Sequence, residues 1–448
     1  GDAFRAAFAV ARSFALRQQR AGEGEKEDPD GIAMEYGCVA GMLACTVAGA
    51  APSLPHGDEV VKLVLARRKR KLAASKEGEE RDALDAEAKR NLGLRGGESS
   101  DYNVSSDDDR DDVESFRFAS RINSMKDRRD LVNASAHPAE AADNILGWIA
   151  RQGRIRGLTH VDLNYPQHLE GLGKDGPRQI REALDAAGLR CGAVCLRYPK
   201  KFRGGAMTHP DAAMREEATQ ITVDAGRLAK QLDADELVVW SAYCGYDYSL
   251  QADHDAMWGR VVASFKTVCA VHPELRISLE YKPTDENTRY FAVPSTGAAL
   301  LLCEEVGAPN MGLTLDVGHC LAAGENPAQS VAAAARRGRL FGVQLNDGHG
   351  KISDEDGLMF GSVRPNAALE LIVWLRRCGY AGHFYFDTFP RNEDPVRECE
   401  YNIRRVKALW KKAAALETLL EKKWETQDAL GVLEVLEGME RGDGSEPQ

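Results

Sequence analysis

Residues 311–319 read Met-Gly-Leu-Thr-Leu-Asp-Val-Gly-His. The uncharged run 311–315 is followed at once by an acid, Asp316, and then by a glycine and a histidine. A run this short suits a buried strand of a parallel sheet better than a helix, which needs about ten or more residues to bury a face. Longer segments with amphipathic spacing lie on both sides, at 295–306 and 326–337. Each opens on a helix-start signal, Ser295-Thr296 and Asn326-Pro327. The unit is helix, strand, helix, and its strand ends in a polar residue.

The same unit recurs along the chain. Strands are expected at 116–122, 159–164, 189–196, 235–241, 275–281, 311–316, 340–345 and 383–388. Helices are expected at 137–152, 176–187, 210–232, 253–270, 295–306, 326–337, 365–378 and 394–412. Strict alternation of this kind is the pattern of an α/β protein, and eight repeats predict a (β/α)8 TIM barrel. A doubly wound sheet would usually carry a glycine fingerprint after its first strand, and none follows 116–122.

Outside the barrel the texture changes. Residues 1–56 read as a targeting leader or a helical segment, with an Ala- and Arg-rich start and an uncharged stretch from Gly37 to Leu54. Residues 57–114 read as a charged, partly disordered linker, from the run Arg67-Arg68-Lys69-Arg70-Lys71 to the acidic Asp107–Asp112. The barrel is expected over 115–412 and a helical tail over 413–448. The chain carries 58 Lys and Arg against 69 Asp and Glu, a net charge of -11, which argues against a polyanion-binding protein. No stretch matches a membrane span. The ten Cys form no C-x-x-C pair, the pattern of reduced, free thiols. The expected location is cytoplasmic, or organellar if the first residues are a transit peptide.

Active sites of such barrels lie at the C-terminal ends of the strands. The polar residues there are Asn164, Trp240, Glu280, Lys282, Asp316, His319, Gln344, Asn346, Asp347 and Asp387, with Asp354 and Asp356 on the loop after the seventh strand. So many acids on one rim would repel one another without a cation. One imidazole among several carboxylates suits Mg2+, Mn2+ or Co2+ better than structural zinc. Read singly, each strand-end acid is more often a helix cap.

Four motifs carry a family resemblance: Glu280-Tyr281-Lys282-Pro283, Asp316-Val317-Gly318-His319, Asp354-Glu355-Asp356 and Phe386-Asp387. With Gly204–Asp211 as a third-strand loop, the set resembles the xylose isomerase-type sugar isomerases and epimerases over roughly residues 116–412. The resemblance implies a divalent-metal-dependent aldose–ketose isomerase working by hydride shift. Glu280, Asp316, Gln344 and Asp387 would hold one metal, and Asp316, His319, Asp354 and Asp356 a second. Lys282 would donate to the carbonyl oxygen, with Glu280 and Asp316 supplying the carboxylate field around it. Trp240 would form an apolar wall for the sugar.

Two positions depart from the family pattern. Gln344 stands where the family has Asp or His, and Asn164 stands where a ring-opening His is usual; His168, four residues on, is the nearest replacement. A ketose 3-epimerase of the same superfamily and a non-catalytic structural barrel are the alternatives. The endonuclease IV type shares the barrel but uses a His-rich set that this rim lacks. The implied partner is a small sugar, with neither nucleic acid nor membrane, and relatives suggest a homo-oligomer.

Overall fold

The computed structural model of the chain describes residue 113 and residues 115–126, 144–350 and 357–441. The readings of 1–56 and of the linker over 57–112, together with Asp354 and Asp356, lie outside the described residues. The eight strands are β1 (Phe118–Arg121), β2 (His160–Tyr165), β3 (Arg190–Arg197), β4 (Glu236–Trp240), β5 (Arg276–Glu280), β6 (Met311–Asp316), β7 (Leu340–Leu345) and β8 (Phe384–Phe386). All pair in parallel, and β1 pairs with both β2 and β8, so the sheet closes. This is a (β/α)8 barrel with a helical C-terminal region.

Ten α-helices lie among the described residues: α1 (Ile145–Gln152), α2 (Gly176–Ala187), α3 (Ala212–Gln231), α4 (His254–Val271), α5 (Thr296–Val306), α6 (Val317–Ala322), α7 (Pro327–Arg336), α8 (Pro365–Arg377), α9 (Pro395–Thr426) and α10 (Ala429–Arg441), with at least one after each strand as expected and the short α6 as an unexpected addition between β6 and α7. Their starts are chemically marked. Ser295 accepts the Ala298 N–H, and Asn326 accepts the N–H groups of Ala328 and Gln329, each satisfying donors that the helix itself cannot. Asn144 caps α1 in the same way.

Two boundaries differ from the sequence reading: the first helix is expected from 137, and α1 starts at Ile145 after its Asn144 cap; the other lies at the end of the barrel. A helix ending at 412 and a separate tail from 413 are expected, yet α9 runs unbroken through that point. The reason is spacing: Val406, Leu409, Ala413, Leu416 and Leu420 are all buried, and steps of three and four residues keep one helical face against the barrel. Trp424 at its far end stacks on Trp374 of α8 at 6.0 Å.

Closure rests on aromatic packing at the β1–β8 seam. Phe118 stacks on Phe386 at 5.8 Å, and Phe116 meets Trp410 of α9 edge-on at 4.7 Å. Such pairs stabilise beyond their buried area. Inside the barrel at β2, the Asp162 carboxylate accepts the Ala193 N–H and lies 2.9 Å from His383 Nε2. Gly192 permits this approach, since a Cβ there would sit 2.5 Å from Asp162 Oδ1. All eight described cysteines are free, and all but Cys378 are buried. No helix among the described residues is long and apolar enough to cross a membrane.

Candidate active site

Three strands end in one row. Arg197 closes β3, Trp240 closes β4, Glu280 closes β5, and each is the register partner of the next. Register partners in a parallel pair project from the same face. Guanidinium, indole and carboxylate therefore share one side at the C-terminal mouth. Thr314 of β6 partners Glu280; Asp316, two residues on, continues that face and partners Gln344 of β7.

Glu280, Asp316 and His319 are buried, and one ligand atom from each lies within 4.8 Å of the others. Local structure brings them together. Asp316 is the N-cap of α6, its Oδ1 accepting the His319 N–H at 2.9 Å. The helix thus begins directly after the strand and turns His319 back over the rim. His319 Nδ1 lies 2.9 Å from the Tyr281 carbonyl oxygen. A carbonyl only accepts, so Nδ1 carries a proton. Asn346 donates from Nδ2 to both Asp316 oxygens, at 3.2 and 3.1 Å, and its Oδ1 accepts the Gly318 N–H. Burial, with Asp316 and Asp387 near it, pushes the Glu280 carboxyl up to about 7. Two acids and an imidazole converging in a buried spot, with the acids repelling each other, form a donor set that fits a divalent cation.

The other expected ligands behave differently. Gln344 points its amide nitrogen, not its oxygen, at Glu280 and donates to Oε2 at 2.9 Å. In that orientation Gln344 positions Glu280. Asp387 stands outside the converging triad and is engaged by Arg121 of β1, Nε to Oδ1 at 3.3 Å. Asp347 organises the loop before α8 by accepting the N–H groups of Gly348, Val363 and Arg364. The acids of the mouth are therefore balanced partly by protein cations.

Lys282 is buried, and its ammonium meets Asp285 Oδ2 at 2.7 Å. Asp285 also accepts from Asn287 through its N–H and Nδ2. Trp240 is half-buried, with the Arg197 guanidinium over its ring at 4.7 Å. Phe202 and Met207, which follow β3, are wholly buried in the core.

His168 is not available as a replacement base for Asn164. Its Nδ1 accepts the Asn164 N–H at 2.8 Å, and its Nε2 faces Asn123 Oδ1 at 2.9 Å. Both nitrogens are committed to the neutral ring. Burial, with Arg197 and Arg121 nearby, pushes it down to about 3. A depressed folded value means stability that is complete above pH 6.5 and lost as pH falls from there toward 3. Between pH 7.5 and 5 the His168→Gln variant should lose about 2 kcal/mol less unfolding free energy than the parent. Urea titrations at the two pH values check this; equal losses would show that His168 is protonated in the native state.

Arg121, Arg197 and Asp285 are the residues a strand-end survey of acids passes over. The first two close their strands as the acids do, and Asp285 follows Lys282 at three residues.

A family model described as "Xylose isomerase-like TIM barrel" matches residues 155–409. The xylose isomerase of Thermus thermophilus is 31% identical over 226 residues, covering 48% of this chain and 58% of that protein. The xylose isomerase of Thermus caldophilus is 30% identical over the same extent. The chain thus spans 58% of the length of these curated relatives. Among solved structures, a xylose isomerase domain protein from Alicyclobacillus acidocaldarius superposes with a TM-score of 0.50 at 18% identity, over 67% of this chain and 99% of that one. That likeness is one of fold.

Proposed function

The chain belongs to the xylose isomerase-like TIM-barrel family, and on that premise we propose that it is a divalent-metal-dependent isomerase interconverting an aldose and its ketose. The observation that carries this reading is the meeting of Glu280, Asp316 and His319 at one buried point, on the rim that also bears Lys282. These three residues would hold Mn2+ or Mg2+, with Co2+ also suited to the set. When bound, the cation supplies Lewis acidity that polarises the sugar carbonyl and the neighbouring hydroxyl, so that hydride can pass between adjacent carbons. Lys282 would donate a hydrogen bond to the carbonyl oxygen, and Asp285 holds that ammonium in place. Gln344 and Asn346 orient the two carboxylates, and Trp240 offers a flat wall. Asp354 and Asp356 are proposed ligands of a second ion.

The full chain loaded with Mn2+ or Mg2+ should convert at least one aldose of a broad pentose and hexose panel into its ketose, and chelation should stop it. Conversion of none overturns the reading. In D2O a hydride shift retains the substrate hydrogen, whereas 3-epimerisation would bring deuterium to C3 of the ketose with no aldose formed. A protein that copurifies with no divalent ion and gains no thermal stability from Mn2+ is a structural barrel instead.

A further inference from the structure

Two N–H donors in the mouth meet no acceptor among the described residues: Arg197 Nε and Trp240 Nε1 are both buried and unpartnered. They belong to register partners, and the Arg197 guanidinium carbon sits 4.7 Å from the indole centroid. A guanidinium over a ring meets the π-face with its charge and keeps N–H donors for whatever lies beside the pair. Buried donors are almost always paired, so two adjacent exceptions at the rim of a barrel ask for acceptor atoms from a ligand.

The charge layout points the same way. Arg121 adds a second guanidinium on the β1 side, stacked on Phe389 at 4.2 Å and reaching Asp387. Burial would discharge Arg197, but the Asp387 and Glu280 carboxylates outweigh it and keep the group firmly cationic. The mouth is therefore divided. The β3–β4 side offers a cation with a donor edge, and the β5–β6 side offers Glu280, Asp316 and His319. Two strand spacings, about 10 Å, separate β3 from β5. An open-chain sugar acid and the Arg197 side chain cover that span together.

We propose that Arg197 and Trp240 form an anion subsite and that the substrate is a sugar bearing a carboxylate or a phosphate. Its anionic end rests on the Arg197 edge while its hydroxyls reach the triad. A pair of anionic oxygens fills two of these donors at once; a neutral hydroxyl fills one and leaves the other buried donor without an acceptor. This substrate class rests on the sugar-isomerase reading.

The test is binding to the Mn2+-loaded full chain by calorimetry, comparing glucuronate and glucose 6-phosphate with glucose. At least one anionic sugar should bind tenfold or more tightly than glucose, and the preferred one separates carboxylate from phosphate. The ratio should fall to within twofold in Arg197→Gln and be partly kept in Arg197→Lys, which retains charge without the fork. Equal affinities, no binding of either anionic sugar, or a preference that survives Arg197→Gln overturns the proposal. Failure of the two readings is distinguishable. Anionic preference without interconversion of any sugar removes the isomerase reading alone, and turnover of neutral aldoses with no anionic preference removes this one alone.

Discussion

Asp316→Asn should lose turnover by at least about 10²-fold, lose its thermal response to Mn2+, and keep its fold. The prediction is sharp because the substitution separates the two tasks of this side chain. As an N-cap, Asn is as good as Asp, so an amide oxygen can still accept the His319 N–H that Asp316 Oδ1 accepts now. As a ligand, the amide has lost the charge that a divalent cation needs. Ligand at 100 times its Kd stabilises a folded protein by about 2.7 kcal/mol, and that gain should be close to absent in the variant. In the metal-free variant the relief of charge beside Glu280 offsets the loss of one of the two hydrogen bonds from Asn346, so its stability should stay within about 1 kcal/mol of the parent. A variant that keeps both the Mn2+ shift and parental turnover removes Asp316 from the ligand set. One that unfolds without metal shows that the carboxylate, through the two hydrogen bonds it accepts from Asn346, chiefly holds the fold.

The eight strands are legible in the sequence because each is a brief apolar run closed by a polar residue, and seven of the helices open at a recognisable cap or proline. Apart from the start of α1, their ends fall within a residue or two of the expected positions. The last helix is longer than expected although its evidence is present: the apolar spacing from Val406 to Leu420 runs straight through residue 412. The site is legible only in part. That Glu280, Asp316 and His319 meet follows from strand ends sharing a rim, and sequence alone carries that. Which partner each side chain takes depends on the pleat. The β2–β3 ladder shifts register between Val161 and Leu163, and such a shift decides which face later residues occupy. Hence Arg197 facing the mouth is not readable from its position. Gln344 is a further case, since an amide at a ligand position can offer oxygen to a metal or nitrogen to a carboxylate, and only the placement of Glu280 selects the second. The tautomer and burial that disable His168 depend on Asn123, 45 residues away.

Lys282→Met and Asp285→Ala should invert each other's effects on activity and stability. The Lys282–Asp285 pair is buried at both ends, with side chains 6% and 7% exposed. Breaking a buried pair from one side costs about 3–5 kcal/mol when the remaining charge is left without compensation. Asp285→Ala leaves the Lys282 ammonium in the mouth without its 2.7 Å partner, so a loss of about 3 kcal/mol is expected, or on the order of 10 °C in Tm for a domain of this size. Lys282→Met leaves Asp285 still accepting two hydrogen bonds from Asn287, and the Met side chain refills most of the volume. Its stability should fall by only about 1 kcal/mol. Turnover runs the other way. Removing the ammonium withdraws the donor to the sugar carbonyl, and a preorganised donor of that kind contributes about 10²–10³ in kcat. Asp285→Ala keeps the donor but loosens it, so kcat should fall by a smaller factor at temperatures where the variant is folded. The double variant should be no less stable than Asp285→Ala alone, because the ammonium that lost its carboxylate partner is then gone as well. Thermal melts and kcat for the three variants decide the matter. A Lys282→Met protein with parental kcat would remove Lys282 from the chemistry, and an Asp285→Ala protein with parental Tm would show that the ammonium is compensated by other groups of the mouth.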